Sequence, residues 1–144
     1  MPKLLYLPDV NVLYALSNVE HDGHRRATQW FAQLKGSQFL LCPITESGLV
    51  RLSTNPLVGG RTMEAAITML LDTKALPNCA ECPVDRSWLD LVAPFASRLH
   101  GYRQVTDALL LGLAIRHKCI LVTLDQHLRG LAGDEFRSSL LTLG

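Results

Sequence analysis

Three short, fully apolar runs fix what this chain can fold into: Leu4-Leu5-Tyr6-Leu7, Phe39-Leu40-Leu41-Cys42 and Cys119-Ile120-Leu121-Val122. None alternates apolar with polar positions, so each reads as a strand covered on both faces. Helical spacing follows the first two. Asn11 to Ser17 carries Val12, Leu13, Ala15 and Leu16, and a second helix runs from the His21–His24 turn to about Lys35, where Gly36 ends it. After Pro43 closes the second strand, a helix is expected from about Thr45 to Ser53. Another runs from Met63 to Lys74, capped by Thr62. Pro77 to Pro83 reads as irregular, with a third strand at Glu81–Val84. Asp85 is the expected N-cap of a helix with Trp88, Val92, Phe95 and Leu99 in one stripe, bent or split by Pro94. Thr106 is expected to cap an apolar helix reaching His117, and Leu140–Leu143 reads as a last strand. Such alternation indicates an α/β domain with a mainly parallel sheet.

The length of 144 residues suits a single domain, 1–144. A net charge of +1 excludes a protein that coats nucleic acid through a large positive surplus, but leaves room for a local grip. Most of the 14 Lys and Arg residues are Arg, whose planar guanidinium suits phosphate. The N-terminal segment lacks a signal-peptide pattern. The greasiest run, Leu109–Ile115, is flanked by Asp107 and Arg116 and reads as a buried helix. No membrane association and a cytoplasmic location are therefore expected. The four cysteines read as reduced thiols. Cys79-Ala-Glu-Cys82 has C-x-x-C spacing but no second ligand pair. Loop thiols, a redox pair and a metal site shared between chains remain alternatives for it.

Four of the 13 acidic residues stand in special places. Asp9 follows the first strand and Asp125 the Cys119–Thr123 strand, while Glu46 and Asp107 start helices. A parallel sheet brings its carboxyl ends to one edge, which is where open α/β sheets carry their active sites. Taken singly, each acid reads as a cap or turn residue. Taken together they repel one another unless protons or a metal neutralise them. Hard oxygen ligands with room for water select Mg²⁺ or Mn²⁺, and phosphodiester hydrolysis is the chemistry such a site serves.

These residues carry a resemblance. Leu7-Pro8-Asp9-Val10-Asn11 resembles the D-x-N motif that ends strand one of PIN domains, and Thr45-Glu46 with Leu49-Val50-Arg51 resembles the family's second acidic motif. Val105-Thr106-Asp107-Ala108 and Thr123-Leu124-Asp125 resemble the third and fourth. All four occur in order across essentially the whole chain, and the set is similar to VapC-type toxins of toxin–antitoxin pairs. The resemblance implies a PIN-like α/β/α sandwich and a metal-dependent endoribonuclease using Mg²⁺ or Mn²⁺. Asp9, Glu46, Asp107 and Asp125 would form the catalytic acid set, with Asp9 and Asp107 as direct metal ligands. Asn11, Thr106 and Thr123 would brace the site, and Arg51 and Arg103 are candidate contacts to substrate. A homodimer and a VapB-like antitoxin are implied as well, with Val12–Leu16 or Ile67–Leu71 as candidate dimer surfaces.

Two other readings compete. A non-catalytic PIN-like domain would bind RNA or a partner without cutting. A phosphotransfer or dehalogenase-like domain also places an Asp after a strand. It wants D-x-D where this chain has Asn11, or a Lys after a late strand where Lys118 precedes it.

Overall fold

The computed structural model describes residues 3–144. Five strands, β1 (Leu5–Pro8), β2 (Gln38–Leu41), β3 (Cys79–Glu81), β4 (Ile120–Thr123) and β5 (Leu140–Thr142), form one sheet in the order β3-β2-β1-β4-β5. Every pairing is parallel. The helices are α1 (Val10–Ser17), α2 (His24–Ala32), α3 (Pro43–Thr54), α4 (Met63–Lys74), α5 (Trp88–Val92), α6 (Val105–His117) and α7 (Leu128–Ala132).

The apolar strands are buried on both faces, and successive side chains alternate between two cores. Phe39 and Leu41 of β2 and Val122 of β4 pack with Val12, Leu13, Ala27, Trp30 and Leu49 from α1–α3. Leu40 and Leu121 point the other way, into a core built from Leu91 and Val92 of α5, Leu110, Leu111 and Leu113 of α6, and Leu128 and Leu131 of α7. The sheet is thus sandwiched between two helical layers. Val12 to Ala15 belong to the first core, so they are unavailable as a dimer surface, whereas Ile67 and Leu71 on α4 remain exposed.

Chain order places the site. From β1 the chain works outward through β2 to β3, then returns to lay β4 on the other side of β1. The connections after β1 and β4 therefore leave on opposite faces, and the crevice between them is the switch point where α/β folds bind ligands. Asp9 and Asp125 follow those two strands. Helix α6 crosses α5 so closely that a Cβ at Gly112 would run into the Leu91 backbone.

Several local expectations need correction. Ser87, not Asp85, caps α5, accepting from Asp90 N–H at 3.1 Å. Asp85 is instead held by the Arg116 guanidinium at 2.8 and 2.9 Å. Thr106 does not cap α6, which begins at Val105 as the continuation of a 3₁₀ turn, Tyr102–Gln104. The third strand lies at Cys79–Glu81 rather than Glu81–Val84, and it is an edge strand. Helix α2 stops at Ala32 and α3 starts at Pro43, which presets the first helical turn. All four cysteines are free thiols. Cys82 and Cys119 are both buried, and the neighbouring Cys119 thiol, with burial, pushes the Cys82 pKa up while Cys82 pulls that of Cys119 down.

Candidate active site

Asp9 is the buried centre of the site. Its carboxylate caps α1, accepting the Val12 N–H at 2.9 Å through Oδ1, so the cap role and a site role coexist in one residue. Oδ2 accepts the Thr123 hydroxyl at 2.6 Å. Only 5% of Asp9 is exposed. Burial pushes its pKa up and the nearby Asp125 charge pushes the same way, while the Thr123 and Val12 hydrogen bonds oppose them.

Thr123, fully buried at the end of β4, ties the two strand ends together. Its hydroxyl donates to Asp9 and accepts the Asp125 N–H at 3.0 Å. The Asp125 carboxylate in turn accepts the His127 N–H at 2.9 Å and lies 2.9 Å from the His127 ring nitrogen Nδ1. Asp107 enters from the first turn of α6. Burial raises its carboxyl pKa to about 6, and the charges of Asp9 and Asp125 add to that rise. Three acids far apart in sequence therefore share one electrostatic environment at the switch point. Among the described residues, neither Asp9 nor Asp107 has an ion-pair partner.

Glu46 is engaged elsewhere. Its carboxylate accepts Lys74 Nζ at 2.8 Å, and the same ammonium reaches Glu81 at 2.8 Å on the end of β3. The two carboxylates hold the Lys74 pKa above its ordinary value. Nothing in the local sequence signals this clamp, because its α3–α4 bond alone joins residues 28 apart in the chain and its second bond ties in β3. Asn11 is exposed, and it is its backbone N–H, not its carboxamide, that acts on Asp9. Thr106 is exposed on the first turn of α6. Arg51 is exposed in the last turn of α3, and Arg103 lies in the 3₁₀ turn before α6.

The donor set suits a hard divalent cation. Asp9 and Asp107 offer hard oxygens that have no ion-pair partner among the described residues, and burial raises the pKa of both. A 2+ charge relieves that situation, which fits. Among the described residues, no group of three or more His, Cys, Asp or Glu side chains is placed to hold a metal ion. An open, two-carboxylate arrangement suits Mg²⁺, which keeps several waters and takes few protein ligands.

The family comparison decides the affiliation. A family profile described as PIN domain matches residues 6–134, a span that holds Asp9, Glu46, Asp107 and Asp125. The chain belongs to the PIN domain family. The PIN fold accounts for the parallel sheet and for the acids gathered at its carboxyl edge. The chain is also similar to three curated proteins of Mycobacterium tuberculosis. Ribonuclease VapC38 (strain ATCC 25618 / H37Rv) is 40% identical over 83% of this chain and 84% of its own length. Ribonuclease VapC44 (strain CDC 1551 / Oshkosh) is 38% identical over 83% and 85%. Ribonuclease VapC39 (strain CDC 1551 / Oshkosh) is 36% identical over 83% and 87%.

Proposed function

We propose that the chain is a VapC-type toxin, an endoribonuclease that cuts RNA with the help of Mg²⁺ or Mn²⁺. The observation that carries this reading is the pair of carboxylates at the switch point, Asp9 and Asp107, which have no ion-pair partner among the described residues and have Asp125 beside them. The relatives named as VapC ribonucleases support it.

In this reading Asp9 and Asp107 hold the cation. When bound, the cation supplies a water of lowered pKa and offsets charge on the scissile phosphate. Thr123 fixes the orientation of the Asp9 carboxylate and the position of Asp125 with one hydroxyl. Asp125, steadied by His127, completes the negative field that draws the cation in. Glu46 belongs to the acid set at longer range, its charge moderated by Lys74. Asn11 and Thr106, both exposed, brace substrate or water in this reading. Arg51 and Arg103 contact the RNA backbone.

The partners follow from the same reading. A VapB-like antitoxin neutralises the enzyme, and the exposed α4 stripe of Met63, Ile67 and Leu71 supports self-association as a homodimer. The toxin acts on cellular RNA in the cytoplasm. No helix among the described residues is long and apolar enough to cross a membrane.

The test is induced expression in a bacterial host. Wild-type chain is expected to arrest growth with loss of intact RNA, and Asp9→Asn to leave growth unaffected at equal protein level. Arrest by both forms, or by neither while both accumulate folded, contradicts the reading.

A further inference from the structure

Tyr102 stands out as an aromatic side chain 81% exposed, on the short turn that runs directly into α6. Arg103 lies over its ring, with Cζ 5.8 Å from the centroid and Nε 3.3 Å from the phenol oxygen. The guanidinium thus sits beside the ring near its phenol end, and most of the ring is open to water. Arg103 itself makes no ion pair with a carboxylate among the described residues, so its remaining donors are free.

The turn is held firmly. The Gln104 side chain accepts the His100 N–H at 2.7 Å, Gln104 N–H donates to the Gly101 carbonyl at 3.1 Å, and the Trp88 indole donates to the Val105 carbonyl at 3.1 Å. A rigid mount with an exposed ring contributes little to folding, because the ring buries almost no surface. It does suit recognition, since an aromatic side chain carried on a hydrogen-bonded turn loses less freedom on binding.

Its position points to the ligand. Tyr102 lies on the turn that leads without a break into α6, whose first turn carries Asp107. Proteins bind single-stranded nucleic acid by pairing cations along the backbone with aromatic faces under the bases. We infer that Tyr102, backed by Arg103, is a stacking platform for a nucleobase of single-stranded RNA next to the cut phosphate. The inference rests on the ribonuclease reading above and adds a binding residue to it.

The experiment uses the cleavage-inert Asp9→Asn chain with Mg²⁺ and fluorescence anisotropy. Two labelled probes of equal length are titrated: a short oligoadenylate, and a ribose-phosphate chain lacking bases throughout. On oligoadenylate, adding Tyr102→Ala is expected to weaken binding about fivefold to a hundredfold, whereas Tyr102→Phe stays within about twofold. On the abasic chain, Tyr102→Ala is expected to bind as its parent does, while Arg103→Ala weakens both probes. Unchanged oligoadenylate binding by Tyr102→Ala, or an equal loss on the abasic chain, overturns the proposal. Failure of the Asp9→Asn parent to bind oligoadenylate overturns it too. Wild-type cutting of total RNA, measured alongside, then decides separately whether the ribonuclease reading stands.

Discussion

Replacing Asp107 by Asn separates the electrostatic cost of the site from its chemistry. Burial, and then the charges of Asp9 and Asp125, raise the Asp107 carboxyl from 3.8 to about 6. Folding therefore favours the protonated acid. The contribution of this group to stability is highest below about pH 3.8, falls as pH climbs toward about 6, and is level above that. At about 1.36 kcal/mol per factor of ten, the rise corresponds to roughly 3 kcal/mol at neutral pH. Asp107 is only half-buried, so solvent screening brings the figure to about 1–2 kcal/mol. The lost charge at the start of α6 subtracts about 0.3–1 kcal/mol. Asp107→Asn is thus expected to be more stable than wild type by about 0.5–1.5 kcal/mol near pH 7.5 in EDTA, with a smaller gain near pH 4.5. Urea denaturation at both pH values measures this. Mg²⁺ should then reverse the order, because a cation at a hundred times its Kd adds about 2.7 kcal/mol to the protein that binds it. A variant no more stable than wild type in EDTA at the higher pH, or equal stabilisation of both by Mg²⁺, refutes the reasoning.

Other outcomes follow from the same geometry. Thr123→Val removes the hydroxyl that orients buried Asp9, and should cost about 1.5–3 kcal/mol by denaturation and at least tenfold in cutting, with Thr123→Ser keeping most of both. Gly112→Ala forces a Cβ against the Leu91 backbone and should destabilise by about 1–3 kcal/mol, lowering the thermal midpoint. Lys74→Met breaks a half-exposed clamp, so stability should move by about 1 kcal/mol or less. With Glu46 no longer neutralised, the Mg²⁺ concentration for half-maximal cutting should fall. If water is the nucleophile, product ends carry a 5′-phosphate and a 3′-hydroxyl, and 2′,3′-cyclic ends on mapping would show attack by the ribose instead.

The sequence makes the site legible wherever a strand ends in an acid. Asp9 and Asp125 follow apolar runs that have no partner but other parallel strands, so their meeting at one edge follows from fold class alone. Asp107 is legible from the apolar helix it begins. Glu46 is different, since its ion pair depends on where the last turn of α4 and the edge of β3 fall, and neither has a local sequence signature. The Asp85 expectation fails for a related reason. Asp85 and Ser87 are both good caps, and the choice is made by Arg116 on α6, which captures Asp85. Thr106 looks like a cap only if the chain enters α6 extended, whereas it enters through a 3₁₀ turn. Tyr102 escapes pattern reading because its significance lies in being uncovered, a property of the folded surface.

In the proposed function, the acids at the switch point cut RNA with a divalent cation. Its most direct test is incubation of purified protein, free of any bound inhibitor, with total cellular RNA in Mg²⁺ or Mn²⁺ and in EDTA, beside Asp9→Asn. Discrete cleavage products that vanish both in EDTA and in Asp9→Asn are the predicted result. Cutting that survives in EDTA or in Asp9→Asn, or no cutting of any cellular RNA by folded wild-type protein, would contradict it.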